Sequence, residues 1–188
     1  VAELADEIVV ADGGATDNTV RVAKGYGAKV YTYDNPPVFH INKQRAVDKC
    51  GGKWILQLDA DEIVTPQLCN EILQKTKQKT YSGYFVPRKN FFLGHEMKKG
   101  GQSPDYVVRL FLRGYGRFPQ KSVHEQIVVD GKIGYLKEEL LHYPYQTPGE
   151  YWEKALRYSN LVALELLREK KPVNIRSALQ FFFFQQAL

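Results

Sequence analysis

Cysteine is scarce in this chain: Cys50 and Cys69 are the only two in 188 residues, and their spacing fits neither a zinc site nor a redox pair. Reduced thiols in a cytoplasmic protein are the resulting expectation. Long hydrophobic runs are missing too. No apolar stretch reaches the roughly 18 residues of a membrane-spanning helix, and no signal peptide is legible. The chain lacks internal repeats and low-complexity tracts. Its formal charge of +5 is spread along the sequence without a basic stripe or a nucleic-acid motif. Nucleic-acid binding is therefore not expected, whereas anionic substrates or an anionic membrane face suit the modest excess.

What is present is ordinary globular composition, 44% apolar and 25% charged, in a chain long enough for one sizeable core. The first half alternates strand and helix signals. Glu7 to Ala11 reads as a buried strand, Asp12-Gly13-Gly14 as a turn, and Thr16 or Asp17 as the cap of a helix ended by Gly25 and Gly27. Ala28 to Thr32 reads as a second strand, His40 to Cys50 as a helix, and Lys53 to Leu58 as a third strand. Pro66 opens a helix to about Lys77. Crossovers of this length imply an α/β fold with a mostly parallel sheet. From Tyr81 onward, short strands punctuated by Gly114, Gly116 and Gly131 suggest an antiparallel extension, and the chain turns helical after Pro148. The expected division is a domain over 1–145, lacking an opening strand and helix, and a C-terminal helical segment over 146–188. Phe181-Phe182-Phe183-Phe184 reads as a buried or dimer-forming run, because four consecutive rings cover every face of a helix.

The most informative motif is Asp59-Ala60-Asp61-Glu62, which follows the apolar run Trp54-Ile55-Leu56-Gln57-Leu58. On an extended backbone the two aspartates would share one side, about 6.5 Å apart along the chain. A hard divalent cation held by one or two carboxylates completes its shell with water and substrate phosphates, so the motif points to a diphosphate. Asp12 also stands at the carboxyl end of a strand, where ligands bind in open α/β sheets. Read alone, that segment is equally an ordinary capped strand-to-helix turn. Glu125 alone is an exposed acid at a strand start, and His142 alone is a hydrogen-bonded structural histidine.

Together, Asp12-Gly13-Gly14-Ala15-Thr16-Asp17-Asn18-Thr19, the Trp54 to Glu62 segment, Arg109-Leu110-Phe111, Ser122-Val123-His124-Glu125 and Leu141-His142-Tyr143 resemble glycosyltransferase family 2. The nearest likeness is to bacterial enzymes of lipopolysaccharide core and envelope polysaccharide synthesis. The resemblance implies a GT-A nucleotide-binding sheet with an Asp-x-Asp metal motif, and a chain short at both ends. It implies an inverting, metal-dependent transfer from a nucleotide-sugar donor, with UDP as the expected nucleotide, to a saccharide or glycolipid acceptor. Asp12 would contact the base, and Asp59 the ribose and the metal. Asp61 would be the direct ligand of magnesium or manganese, with His142 a further metal ligand. Lys43 and Arg45 would face the diphosphate, while Arg109 and His124 would lie on the acceptor side, with a strand-end salt bridge an equal explanation of Arg109. Glu125 would be the base. Pro87 to Gly94 and Gly100 to Asp105 would flank the acceptor. Peripheral contact with the cytoplasmic face of the inner membrane and a homo-oligomer are compatible with this reading. A sugar-phosphate nucleotidylyltransferase and a non-catalytic nucleotide-binding module are the alternatives.

Overall fold

The computed structural model describes residues 3–99, 103–119 and 126–168. Its first unit is a parallel pair: β1 (Val9–Asp12) lies against β2 (Lys29–Thr32) with Asp12 opposite Thr32, and α1 (Thr19–Gly25) makes the crossover. The side chain of Asp17 accepts a hydrogen bond from the Thr19 amide (2.9 Å) at the entry to α1. Helix α2 (His40–Lys49) then packs on β1 and leads into β3 (Trp54–Leu56). Glu7 links the parallel pair to the approach of β3. One of its carboxylate oxygens meets Lys29 and the other accepts from the Gly51 amide, each at 2.7 Å.

After β3 come a turn, the three-residue β4 (Glu62–Val64) and α3 (Pro66–Lys75). Thr65 caps α3, its hydroxyl accepting from the Leu68 amide at 3.1 Å, and Pro66 fills the first position, where its missing N–H has no intrahelical partner to lose. Leu68 and Ile72, four apart, present one apolar face inward. The remaining strands are β5 (Gly83–Phe92), β6 (His95–Glu96), β7 (Asp105–Leu112), β8 (Gly116–Arg117), β9 (Val128–Val129), β10 (Ile133–Tyr135) and β11 (Leu140–Tyr145), before α4 (Pro148–Arg168). They build a mixed sheet in the order β3-β7-β5-β11-β4, with β6 and β10 added on β5. Strands β10 and β11 run parallel to β5; the pairs β3–β7, β5–β7 and β4–β11 are antiparallel. The α/β class expected from the sequence is thus observed, with an extensive antiparallel part.

Strand alternation divides the apolar side chains between two cores. Tyr84, Val86, Leu110, Leu136 and Leu140 join Leu68 and Ile72 of α3 on one face. On the other face Ile55, Val108, Phe111, Phe118 and Ile127 surround Val47 of α2. Two residues of β7 spaced by two, Val108 and Leu110, therefore belong to opposite cores, which an unbroken strand forbids. The cause is a register shift: Tyr84 opposes Leu110 while its neighbour Phe85 opposes Val108. Arg109 is the extra residue, and the bulge redirects its side chain.

Gly116 marks the closest approach in the second core. A Cβ there would stand 2.3 Å from the ring of Phe111, which is wholly buried. Gly116→Ala is expected to lower stability by about 1–3 kcal/mol through overpacking. Urea unfolding checks this, and an unchanged midpoint would show that the ring can yield.

Candidate active site

The motif segment is a turn, not an extended strand. Strand β3 stops at Leu56; the Asp59 carbonyl accepts from the Glu62 amide (3.1 Å), and Glu62 Oε2 accepts in return from the Asp59 amide (3.0 Å). The amide of Tyr143 on β11 donates to the Asp61 carbonyl at 2.8 Å and ties the turn to the sheet. The expected shared side for both aspartates gives way to two separate environments, because the turn closes on itself at Glu62.

Asp59 has both oxygens engaged. Oδ1 meets Lys43 Nζ at 2.5 Å and Gln57 Nε2 at 3.1 Å, while Oδ2 accepts from Arg109 at 2.8 Å. Burial alone would oppose its charge, but the Arg109 guanidinium and the Lys43 ammonium outweigh burial and hold its carboxyl well below the usual carboxylate range. Arg109 is buried and donates to Gln57 Oε1, Asp59 Oδ2 and Glu62 Oε1, the last at 2.7 Å. Burial disfavours the guanidinium's charge as well, and Asp59 and Glu62 reverse that, raising its pKa. The side chain of Glu62 is completely buried, with Arg88 3.5 Å away as a second cation.

Asp61 faces the other way. Its Oδ1 is 3.7 Å from His142 Nε2 and its Oδ2 3.7 Å from Lys154 Nζ, which α4 projects over the Tyr145 ring. On β11, His142 lies between Glu62 of β4 and Asn90 of β5 in the sheet register. Its Nδ1 is 2.6 Å from Asn90 Oδ1. Asn90 in turn donates to Asp105 Oδ2 (2.8 Å), an oxygen shared with Arg88 Nε at the same distance. Burial, then the positive charge of Arg88, pushes the His142 pKa down to about 4 against the partial opposition of Asp61, so the ring is neutral near pH 7.

Of the residues expected at the site, the fold brings together Lys43, Asp59 and Arg109, and beside them Asp61 and His142. Asp12 sits in the separate parallel pair, buried at the end of β1, where Oδ1 accepts from the Ala15 amide at 2.9 Å. Arg45, two residues beyond Lys43 on α2, turns outward to Asp34, Asn42 Oδ1 (2.9 Å) and the face of Tyr33. His124, Glu125 and the Phe181 to Phe184 run lie outside the described residues. Pro87 to Phe92 belongs to β5, and Arg88 and Asn90 point into the polar cluster instead of forming an open flank. Sequence reasoning set Glu62 aside as an orienting residue, not a ligand, placed Arg88, Asn90 and Asp105 in the acceptor-flanking segments, and missed Gln57 and Lys154. The available signal was polar Arg88 and Asn90, two apart among aromatic and aliphatic neighbours, which is how one polar face of a strand reads.

Asp61 and neutral His142 fit a divalent cation that takes few protein ligands. Among the described residues no three His, Cys, Asp or Glu side chains converge on one point, so water and substrate phosphates would complete the shell. A carboxylate and an imidazole are both suitable donors.

The site is thus an acidic turn that follows a sheet strand of an α/β fold and lies beside a neutral histidine. The family model for glycosyl transferase family 2 matches residues 2–140, and the chain belongs to that family. An uncharacterized glycosyltransferase of Rickettsia typhi is 27% identical over 98% of this chain, which spans 67% of that relative. The lipopolysaccharide core biosynthesis glycosyltransferase LpsC of Rhizobium meliloti is 30% identical over 84% of the chain and 61% of its own length. The crystal structure of S. aureus TarS 1-349 in complex with UDP shares the fold, with a TM-score of 0.56 at 14% identity, covering 96% of this chain and 61% of that fragment.

The depressed His142 pKa has a thermodynamic consequence. The unfolded ring takes its proton near the ordinary value of 6.5 and the folded ring only near 4. Its contribution to stability is therefore complete above about pH 6.5 and is lost as pH falls through that window. An NMR titration should place the His142 midpoint far below that of an exposed histidine; a midpoint near 6.5 would refute the description.

Proposed function

We propose that this protein transfers a sugar from a nucleotide-sugar donor, a UDP-sugar, to a saccharide or glycolipid acceptor in envelope polysaccharide synthesis, with inversion at the anomeric carbon. The observation that carries the proposal is the Asp59 to Glu62 turn, clamped by Arg109 beneath and facing His142 above. Family membership, the lipopolysaccharide role in the name of LpsC and the UDP bound in TarS support the donor and acceptor classes.

Asp61 and His142 would hold a divalent cation, magnesium or manganese, against the donor diphosphate. Such a cation supplies charge neutralisation as the nucleoside diphosphate departs. Lys154 and Lys43 would add fixed positive charge on either side of the turn. Asp12 would accept hydrogen bonds from the base, and Asp59, held ionised, would face the ribose edge of the donor. Glu125 is proposed as the general base on its place in the Ser122 to Glu125 motif. It would take the proton of the acceptor hydroxyl as that oxygen attacks the anomeric carbon and the bond to the diphosphate oxygen breaks on the opposite face. His124 beside it would orient the acceptor. Peripheral contact with the inner membrane follows if the acceptor is a glycolipid. No helix among the described residues is long and apolar enough to cross a membrane.

Two substitutions test the assignment. Asp61→Ala should abolish manganese-dependent UDP binding in calorimetry, and retained metal-dependent heat would remove Asp61 as ligand. Glu125→Gln should keep UDP binding but lower transfer by about 100-fold or more; near-parental turnover would exclude Glu125 as base.

A further inference from the structure

The amide of Asn90 occupies a position that leaves it little chemical freedom. It is buried on β5, 4% exposed, directly beside His142 in the parallel β5–β11 register. Its Nδ2 donates to Asp105 Oδ2 at 2.8 Å, and Asp105 is ion-paired with Arg88 through the same oxygen. An ionised carboxylate only accepts hydrogen bonds, so the partner on Asn90 has to be its NH2 group. That orients the amide oxygen toward His142, 2.6 Å from Nδ1. An amide oxygen only accepts. The imidazole must therefore carry its hydrogen on Nδ1 and present the lone pair of Nε2 toward Asp61, 3.7 Å away.

We propose that Asn90 is a positioning residue that fixes the tautomer and ring plane of His142, with Asp105 fixing Asn90, so that Nε2 is prepared to bind a divalent cation together with Asp61. The inference rests on the metal-dependent reading given above. The arrangement is a relay of four side chains, Arg88, Asp105, Asn90 and His142, in which each member removes one rotational or tautomeric alternative from the next. Hydrogen bonding at the remote nitrogen is how ligating histidines are held in orientation, and losing such a partner typically costs 10–100-fold in metal affinity. An amide in that place, in contrast to a carboxylate, orients the ring without adding negative charge next to Glu62, Asp61 and Asp105.

Long-range nitrogen–proton correlation spectra of the metal-free protein, assigned with a His142→Phe sample, report the tautomer directly. The expected result is a pyrrole-type Nδ1 and a pyridine-type Nε2 on His142. Asn90→Leu should erase this preference and weaken manganese binding in the presence of UDP by about 10–100-fold. Asp105→Asn, which leaves Asn90 in place but lets its amide rotate, should produce a mixture of tautomers. If the parent protein binds no manganese with UDP, the metal-dependent reading fails and the proposal with it. If it binds manganese but His142 carries its hydrogen on Nε2, or Asn90→Leu leaves both tautomer and affinity unchanged, this proposal alone is overturned.

Discussion

The site depends first on one buried cation. Arg109 joins Gln57, Asp59 and Glu62, three residues of the same turn, to a strand in the middle of the sheet. A guanidinium suits this task because its planar fork of donors can serve several acceptors at once, which a lysine ammonium on a flexible stem does less well. The arrangement is costly in isolation, since each buried charge loses its hydration, and it persists because every charge finds a partner of opposite sign. Without Arg109, Glu62 would be a buried carboxylate left, among the described residues, with the Asp59 amide and with Arg88 at 3.5 Å as its one cation. The turn would then lose the reason for its shape.

That shape separates two tasks that the sequence places one residue apart. Asp59 is immobilised by Lys43 and Arg109 and is a fixed negative charge. Among the described residues Asp61 meets His142 and Lys154, each at 3.7 Å, and is held less tightly than Asp59. Glu62, the third acid, is structural: it closes the turn through the Asp59 amide and receives Arg109 from below. Three acids within four positions thus do three different things, and their differences come from the strands underneath.

Much of the fold was legible in the chain. The strand–helix alternation located β1, α1, β2, α2, β3 and α3, because each carries its own local period and stop signals. Asp12 at the end of β1 and the position of the acidic motif after β3 follow from the same reading, whereas the motif's turn does not. What escaped is non-local. The bulge at Arg109 exists only because β7 pairs with β5 in a shifted register, and nothing in Val107-Val108-Arg109-Leu110 announces it. Strand β4 has three residues between the acidic turn and Pro66, too few for a period to show. The grouping of Arg88 and Asn90 with Asp105 is not legible in the sequence because Asp105 lies on another strand, and only the sheet brings the three together.

The charges of the site also have a collective property. Among the described residues, Lys43, Arg88, Arg109 and Lys154 stand against Asp59, Asp61, Glu62 and Asp105, with His142 neutral, so the cluster is electrically balanced by itself. A divalent cation entering alone would leave two positive charges uncompensated in a half-buried place, and a diphosphate entering alone would leave two negative ones. Entering together, they cancel. In a medium of reduced dielectric that difference is large. If the site takes a divalent cation and a diphosphate, as proposed above, this balance would favour the two as one neutral ligand over either partner separately.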